Sequence, residues 1–352
     1  MTTKTDDVLT VEGLKTHFFL DEGLVRAVDG VTLSLPRGRT VCVVGESGCG
    51  KSITARSLLG LVEPPGRIVD GHIWWTGDDG DRVDLSTLGP RSERLRKIRG
   101  NEIAMVFQEP MASLSPMYTV AQHLIEAIRL HRPLSKKEAR AQGLALLERV
   151  GIPHAGQRME SYPWQLSGGM CQRVMIAIAL ACEPRLLIAD EPTTALDVTT
   201  QARILDLLKD LQAETGMSMM FITHDLGVVA EIADEVIVMY LGTVVERGSV
   251  DEIFHDPKHP YTRALLKSIP TMGHGARQRL STIRGQVPHP MNRPQGCPFH
   301  PRCDEAIAGV CDVTDPPTVT FEDDRQARCV LYEPEQLARA TAAQEQKDGD
   351  EA

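Results

Sequence analysis

One eight-residue stretch constrains this 352-residue chain more than any other feature of its sequence. Gly45 to Ser52 reads GESGCGKS, which matches the phosphate-binding P-loop pattern in full. The stretch follows the apolar run Val41–Val44 and leads into residues 52–61, which we interpret as a helix. Such a strand–loop–helix unit turns its backbone N–H groups and the helix N-terminus toward bound phosphates. The sequence therefore predicts an α/β fold with a site for a phosphate-containing ligand.

All eight loop residues are candidates for binding that ligand: Gly45, Glu46, Ser47, Gly48, Cys49, Gly50, Lys51 and Ser52. The Lys51 ammonium is expected to reach phosphate oxygens, and Ser52 is expected to ligate Mg²⁺. A second run, Leu186–Ala189, is an apolar strand that ends in two acids. We expect Asp190 to hold Mg²⁺ through water and Glu191 to polarise the water that attacks the phosphate.

The spacing of apolar residues divides the chain into segments. From Val8 to Leu35, short apolar stretches alternate with polar turns, which predicts β-strands. Between Thr119 and Cys182 the apolar residues recur at the spacing of α-helices. Further strands are predicted at Leu186–Ala189, Met219–Ile222 and Val236–Met239, with a helix at Ala202–Thr215. This alternation of strands and helices predicts a largely parallel sheet that is covered on both faces.

A third motif gives the chain a resemblance to a known family. Leu166–Arg173 reads LSGGMCQR, and together with the P-loop and the two acids it resembles the ATP-binding subunit of an ABC transporter. Further family markers follow in order: Gln108 resembles the Q-loop glutamine, Asp197 ends a tripeptide that resembles the D-loop, and His224 resembles the switch histidine. The resemblance implies hydrolysis of ATP with Glu191, His224 and Gln108 as catalytic residues. It also implies that Gln108 contacts Mg²⁺.

The resemblance implies a domain organisation as well. The fold is expected to be a P-loop NTPase of the ABC type, with a mixed sheet core, an N-terminal antiparallel β subdomain and an α-helical subdomain at about residues 109–182. The nucleotide-binding domain is expected at residues 1–268, and a small cysteine-rich C-terminal domain at 269–332. The polar residues 333–352 are expected to form a disordered tail.

Several partners are implied by the same resemblance. The resemblance implies that two ATPase subunits arranged head to tail sandwich two ATP molecules. Ser167, Gly168 and Gly169 are expected to bind the ATP held by a partner's P-loop, and Asp197 is also expected to bind nucleotide. In this branch the second ATPase is expected to be a paralogous subunit. Two transmembrane permeases are expected to contact the helical subdomain, and an extracytoplasmic substrate-binding protein to act indirectly. The chain is expected to sit peripherally on the cytoplasmic face of the membrane.

Two C-terminal segments narrow the branch of the family. His259–Arg263 and Cys297–Cys303 resemble the C-terminal region of oligopeptide and dipeptide importers. Peptides are therefore the expected cargo, with nickel complexes and oligosaccharides as alternatives within the branch. A soluble ABC ATPase that acts on DNA or ribosomes is a further alternative, but Gln108 and Ser167 are only 59 positions apart, which leaves no room for the coiled coil of the DNA-repair type.

The eight cysteines fall into two groups. Cys42, Cys49, Cys171 and Cys182 lie on predicted core elements and are interpreted as small buried hydrophobes. The other four, Cys297, Cys303, Cys311 and Cys329, lie close together near the C-terminus. Four soft thiolates suit zinc or an iron–sulfur cluster, and their irregular spacing differs from that of paired zinc-ribbon motifs. The resemblance implies a [4Fe-4S] cluster; a zinc site, free thiols and a redox-sensing role remain alternatives.

Charge and hydropathy limit the remaining possibilities. The formal net charge is −10, so nucleic acid is not expected as a partner. The longest purely apolar run, Val174–Cys182, has nine residues, whereas a membrane-spanning helix needs roughly 20. The resemblance implies that an aromatic residue of the N-terminal strands stacks on adenine. The candidates are Phe18 and Phe19, with a place in the core as the alternative for both.

Overall fold

A computed structural model describes residues 7–77, 80–194, 196–268 and 283–333 of the chain. The strands are β1 (Asp7–Leu20), β2 (Gly23–Pro36), β3 (Thr40–Val44), β4 (Gly66–Thr76), β5 (Arg82–Asp84), β6 (Ile103–Val106), β7 (Leu186–Asp190), β8 (Ser218–Ile222), β9 (Glu235–Tyr240), β10 (Thr243–Ser249), β11 (Thr318–Thr320) and β12 (Gln326–Arg328). The helices are α1 (Lys51–Leu58), α2 (Glu93–Ile98), α3 (Pro110–Ser113), α4 (Val120–His131), α5 (Lys136–Arg149), α6 (Ala155–Arg158), α7 (Gly168–Ala179), α8 (Val198–Thr215), α9 (Leu226–Ile232), α10 (Val250–His255) and α11 (Pro260–Lys267).

The N-terminal strands form an antiparallel sheet in the order β2-β1-β4-β5. Strands β1 and β2 are joined at Asp21 and Glu22, where the sequence predicted a turn. Their apolar side chains are buried on one face, together with Ile73 and Trp75 of β4. This confirms the expected N-terminal antiparallel subdomain.

Within the described ranges, the central sheet has eight strands in the order β11-β12-β10-β9-β3-β8-β7-β6. Five neighbouring strands, β9, β3, β8, β7 and β6, run parallel to one another, whereas β10 runs antiparallel to β9. Every residue of β3, β6, β7 and β8 is buried, as a parallel sheet covered on both faces requires. The P-loop and the acids after β7 therefore lie at the carboxyl edge of adjacent parallel strands, which is where such sheets bind ligands.

Helices α3 to α7 form the predicted helical subdomain, which packs against β6 through α7. Thr119 and Ser135 begin α4 and α5 with reciprocal capping boxes, in which Gln122 and Glu138 bond back to the capping backbone. The apolar faces of α4 and α7 are buried in the same core as the central sheet. The subdomain is thus fixed at one end of the sheet, next to Gln108.

The C-terminal residues extend the central sheet, and the structure does not support a separate cysteine-rich domain. Strand β10 pairs with β9 and then with β12, so residues about 80 positions apart become neighbours in one sheet. Tyr240, Tyr261 and Phe299 pack their rings together within the main core. The division at residue 268 stays a prediction. The connector residues 271–282 and the tail residues 334–352 lie outside the described residues.

Candidate active site

The P-loop has the tight backbone that its glycines permit. Gly45 has a φ of 151°, and a Cβ atom there would lie 2.2 Å from the carbonyl oxygen of Met239. At Gly50, which has a φ of 102°, a Cβ atom would lie 2.3 Å from the carbonyl oxygen of Ala27. No residue other than glycine fits at these two positions. The loop is therefore held closely against β2 and the end of β9.

Lys51 is the buried cation of this loop. Its Nζ donates hydrogen bonds of 2.7 Å to the Gly45 carbonyl and 3.1 Å to the Glu46 carbonyl, and the residue is only 6% exposed. The loop is thus wrapped around an ammonium group at the N-terminus of α1, where both the charge and the helix dipole favour an anion.

Ser52 and Asp190 meet across the site. Ser52 Oγ donates a hydrogen bond of 3.0 Å to Asp190 Oδ1 at the end of β7. Burial raises the pKa of Asp190 above its ordinary value, while the bond from Ser52 opposes the shift and the charge of Glu191 adds to it. A hydroxyl and a carboxylate at this distance are the donor set that Mg²⁺ prefers. These two predicted magnesium ligands are therefore brought together.

Glu191 is the centre of the predicted catalytic group. Its Oε2 accepts hydrogen bonds from Gln108 Nε2 at 3.1 Å and from Thr194 Oγ1 at 3.2 Å. On the other side, His224 Nδ1 lies 3.4 Å from Glu191 Oε1. The Glu191 backbone has a left-handed φ of 48°, and its N–H donates to the Ile222 carbonyl on β8. The carboxylate is therefore aimed into the site by its neighbours and by a strained backbone.

A cleft of about 320 Å³ lies beside the P-loop. It is lined by P-loop residues from Ser47 to Ser52 together with Val25, Ala27, Ile53, Gln108, Glu191 and Pro290. Neither Phe18 nor Phe19 belongs to this lining: Phe18 packs at Gly66, and Phe19 lies beneath the Arg67 guanidinium, 4.4 Å from ring centroid to Cζ. Pro290 was missed by sequence reasoning, because nothing in its local sequence indicates a place beside the P-loop.

The signature residues lie away from this cleft. Ser167 begins α7, where its Oγ accepts a hydrogen bond from the Met170 N–H, and Ser167 and Gly168 are both exposed. Asp197 begins α8 and accepts two hydrogen bonds from Thr200, which lower its pKa. Within the described part of the chain, neither group lines the P-loop cleft. Ala195, the first residue of the predicted D-loop, lies outside the described residues.

The four C-terminal cysteines converge. Cys297, Cys303, Cys311 and Cys329 all line one cavity of about 10 Å³, together with Phe299 and Val330. No three or more metal-binding side chains of the described residues stand in the geometry of a formed metal site. Burial raises the pKa of all four thiols, to about 11 for Cys303 and about 12 for Cys329, and neighbouring cysteines add to the shifts of Cys297, Cys303 and Cys329. The structure thus clusters the cysteines without supporting the expected [4Fe-4S] cluster.

A contact between the P-loop and the C-terminal region was also missed. Arg302 forms a two-pronged ion pair with Glu46, at 2.6 and 2.9 Å. The hydroxyl oxygen of Tyr261 accepts a hydrogen bond of 2.9 Å from the Glu46 N–H. These partners are 256 and 215 positions from Glu46, so no local pattern could reveal them.

None of the helices in the described ranges is both long and apolar enough to span a bilayer. Two family models match the chain. The first, described as ABC transporter, covers residues 28–194. The second, described as the C-terminal region of oligopeptide/dipeptide transporters, covers residues 245–311. The first match includes the P-loop, the signature and the two acids, and the second includes three of the four C-terminal cysteines: Cys297, Cys303 and Cys311.

Relatives and solved structures agree with these matches. The oligopeptide transport ATP-binding protein AppD of Bacillus subtilis strain 168 is 50% identical over 329 residues, which cover 93% of this chain and 98% of that protein. The dipeptide transport ATP-binding protein DppD of Escherichia coli K12 is 46% identical over 322 residues, which cover 92% of this chain and 96% of that protein. The dimeric ATP-binding cassette MJ0796, in a post-hydrolysis state bound to ADP and Pi, superimposes with a TM-score of 0.62 at 28% identity over 69% of this chain and 98% of that one. The chain therefore belongs to the ATP-binding subunits of ABC transporters, in the oligopeptide and dipeptide branch, and is an ATPase.

Proposed function

We propose that this chain is the ATP-hydrolysing subunit that powers peptide import across the cytoplasmic membrane. The observation that carries the proposal is the contact of Gln108, Thr194 and His224 with the one carboxylate of Glu191, beside a P-loop cleft. Peptides are proposed as the cargo because AppD and DppD, named for oligopeptide and dipeptide transport, match nearly the whole chain. No observation favours a nickel complex or an oligosaccharide.

The site residues divide the work of hydrolysis. The P-loop amides and Lys51 bind the β- and γ-phosphates, and Ser52, Asp190 and Gln108 hold Mg²⁺, which neutralises phosphate charge when it is bound. Glu191 orients a water molecule and accepts its proton as the water attacks the γ-phosphate. His224, at the end of β8, donates a hydrogen bond to the γ-phosphate, where charge develops in the transition state.

A second ATPase subunit completes the site in this proposal. Ser167, Gly168 and Gly169 are exposed or half-buried at the N-terminus of α7, away from their own P-loop cleft. A helix N-terminus of this kind favours an anionic ligand, and the γ-phosphate held by a partner in a head-to-tail dimer supplies one. MJ0796 forms a dimer of ATP-binding cassettes. A paralogous partner is proposed here because the branch commonly uses two different ATPase chains.

The helical subdomain offers the contact with the membrane subunits. Exposed apolar side chains gather there: Met111, Met117, Tyr118, Tyr162 and Trp164 are between 36% and 78% exposed. Met111 lies on α3, only a few residues after Gln108, so a permease on this surface can sense the nucleotide state through the Q-loop. In this proposal the chain sits peripherally on the cytoplasmic face of the membrane, and the extracytoplasmic binding protein acts through the permeases.

The cysteine cavity is proposed to hold one soft metal centre, a [4Fe-4S] cluster. All four cysteines line one cavity, and Cys311 Sγ accepts a 3.3 Å hydrogen bond from the Ile307 backbone N–H. Backbone donors to sulfur are the usual surroundings of metal thiolates. Anaerobic purification followed by absorption spectroscopy and metal analysis tests this. Four irons and inorganic sulfide with visible absorption are expected, whereas zinc alone or no metal contradicts the cluster.

Reconstitution tests the proposed transport function. The chain is assembled with its two permeases and the second ATPase in proteoliposomes. Binding protein and labelled peptides are supplied on the side of the membrane opposite the ATPases. ATP-dependent accumulation of di- or oligopeptides is expected. Hydrolysis without peptide accumulation, or accumulation of a nickel complex or an oligosaccharide instead, would contradict the proposed cargo while leaving the ATPase assignment intact.

A further inference from the structure

A buried ion pair joins the C-terminal region to the phosphate-binding loop. Arg302 Nη1 lies 2.6 Å from Glu46 Oε2, and Nη2 lies 2.9 Å from Oε1. The Arg302 side chain is 4% exposed and that of Glu46 is 23% exposed. A bidentate guanidinium–carboxylate pair fixes the direction as well as the distance of its partners. The position of the second P-loop residue is therefore set by Arg302.

The Arg302 side chain is itself held in place from behind. Its Nε donates a hydrogen bond of 2.9 Å to the Arg284 carbonyl, and Nη1 donates one of 3.3 Å to Tyr240 Oη. The hydrogen bond to Glu46, followed by that to Tyr240, raises the pKa of Arg302, so the guanidinium stays charged. With all three of its nitrogens bonded, the side chain cannot turn away without breaking several contacts.

Glu46 links the anchored Arg302 to Lys51, the cation of the site. Its carbonyl oxygen accepts the hydrogen bond from Lys51 Nζ, and its N–H donates to Tyr261 Oη. Tyr261 lies on α11, so both anchors of Glu46 come from the C-terminal side of β10. A displacement of Arg302 therefore moves the loop backbone on which the phosphate-binding ammonium rests.

The backbone of Arg302 lies between two of the cysteines that line the cavity. Residues His300–Arg302 form a short 3₁₀ turn between Cys297 and Cys303. The His300 N–H donates to the Cys297 carbonyl, and the Cys303 N–H donates to the His300 carbonyl. The backbone that carries Arg302 is thus fixed at both ends by cysteines that line the cavity.

We propose that Arg302 is a positioning residue that couples the four-cysteine cavity to ATP binding through Glu46. It holds the P-loop in the conformation that accepts phosphate, and a disturbance of the cysteines weakens ATP binding by displacing it. The inference deepens the proposed nucleotide site and rests on it. It does not require the cavity to hold a cluster, because backbone hydrogen bonds between Cys297, His300 and Cys303 hold the turn.

Direct titration of the full chain with MgATP tests the positioning role. Arg302→Gln and Glu46→Gln are expected to weaken ATP binding about tenfold, or about 1.4 kcal/mol. Arg302→Lys keeps the charge but loses the second hydrogen bond to Glu46, so its ATP affinity is expected to lie between that of these variants and that of wild type. In the assembled transporter, the KM for ATP should rise more than kcat falls, because neither residue touches Glu191.

Arg325→Gln is the matched control. Arg325 is also a buried arginine of the C-terminal region, paired with Glu246 at 3.0 Å, but it does not contact the P-loop. The Arg325→Gln substitution is expected to lower the melting temperature without changing ATP affinity. Circular dichroism establishes that each variant is folded, and Glu46→Gln and Arg302→Lys carry the test if Arg302→Gln does not fold. Wild-type ATP affinity in those two folded variants would overturn the positioning role.

A double-mutant cycle tests the coupling to the cysteines. Cys303→Ser is expected to weaken ATP binding in the wild-type background and to have less than about a twofold further effect in Glu46→Gln, where the link is already broken. Independent, multiplying effects of the two substitutions would overturn the coupling. Failure of the wild-type chain to bind ATP at all would instead contradict the proposed nucleotide site, so the two failures are distinguishable.

Discussion

Ser52 Oγ donates a 3.0 Å hydrogen bond to Asp190 Oδ1, which joins the first turn of α1 to the end of β7. Asp190 is only 1% exposed, and burial holds its pKa above the ordinary value for aspartate. The charged carboxylate is therefore destabilised in the folded protein, and a bound divalent cation would relieve that cost. The ligand site is in this respect built at the expense of stability.

Asp190→Asn is expected to raise the melting temperature of the ligand-free protein and to abolish its further rise with MgATP. A carboxylate whose pKa is raised by folding makes the folded state lose stability as pH rises through the aspartate range, and the amide removes that charge. Scanning calorimetry with and without MgATP measures both effects. Asp206→Asn, an exposed position on α8, is the control and should change neither value.

Glu191→Gln is expected to leave ATP binding intact and to lower turnover by about 10²-fold or more, the usual contribution of a general base. The amide keeps a bond with Gln108 or Thr194 but cannot accept the proton of water. Phosphate release by the assembled transporter, alongside ATP titration, separates the two properties. Retained turnover would contradict the role of Glu191 as the base.

Lys51→Ala is expected to weaken ATP binding itself by about tenfold or more, because the buried ammonium is the charge at the centre of the loop. The substitution also removes the two bonds that Nζ donates to the loop carbonyls. Isothermal titration with MgATP measures the loss. Lys97→Ala, on the exposed side of α2, is the control, and equal affinities for the two variants would refute the assignment.

The sequence was most informative where function depends on neighbouring residues. Gly45–Ser52 and the pair Asp190–Glu191 could be placed at the ends of apolar strands, because a parallel sheet brings such ends to one edge. The observed strands β3 and β7 lie where expected, in one fully parallel part of the sheet. The signature motif Leu166–Arg173 coincides with the start of α7, whose N-cap is Ser167.

Long-range pairing could not be predicted in the same way. Strand β12 joins β10 from 79 or more positions away, and its three residues carry no strand pattern of their own. The bond between Arg302 and Glu46 joins residues 256 positions apart, and Pro290 reaches the P-loop cleft from a similar distance in sequence. Phe18 and Phe19 were candidates for stacking on adenine because the family resemblance implies an aromatic residue in the N-terminal strands, but the register of β1 with β4 places Phe18 against Gly66.

The buried His259 gives the C-terminal packing a pH dependence. It is 1% exposed, its Nδ1 accepts a hydrogen bond from the Tyr261 N–H at the start of α11, and burial, with smaller effects of Arg263 and Arg328, lowers its pKa to about 3. The folded protein therefore binds fewer protons than the unfolded chain between about pH 3 and pH 6.5. Stability contributed by neutral His259 is fully present above that window and is lost as pH falls through it.

His259→Asn is expected to flatten the loss of stability below pH 6.5. Asparagine retains an acceptor for the helix N-terminus but does not titrate, so the variant should lose up to roughly 1.4 kcal/mol less per pH unit than wild type. Denaturant unfolding at pH 7.5, 6 and 5 measures the difference, and carboxylates titrate alike in both proteins. Parallel curves would show that His259 is not the titrating group, whereas convergence toward low pH would establish that it is.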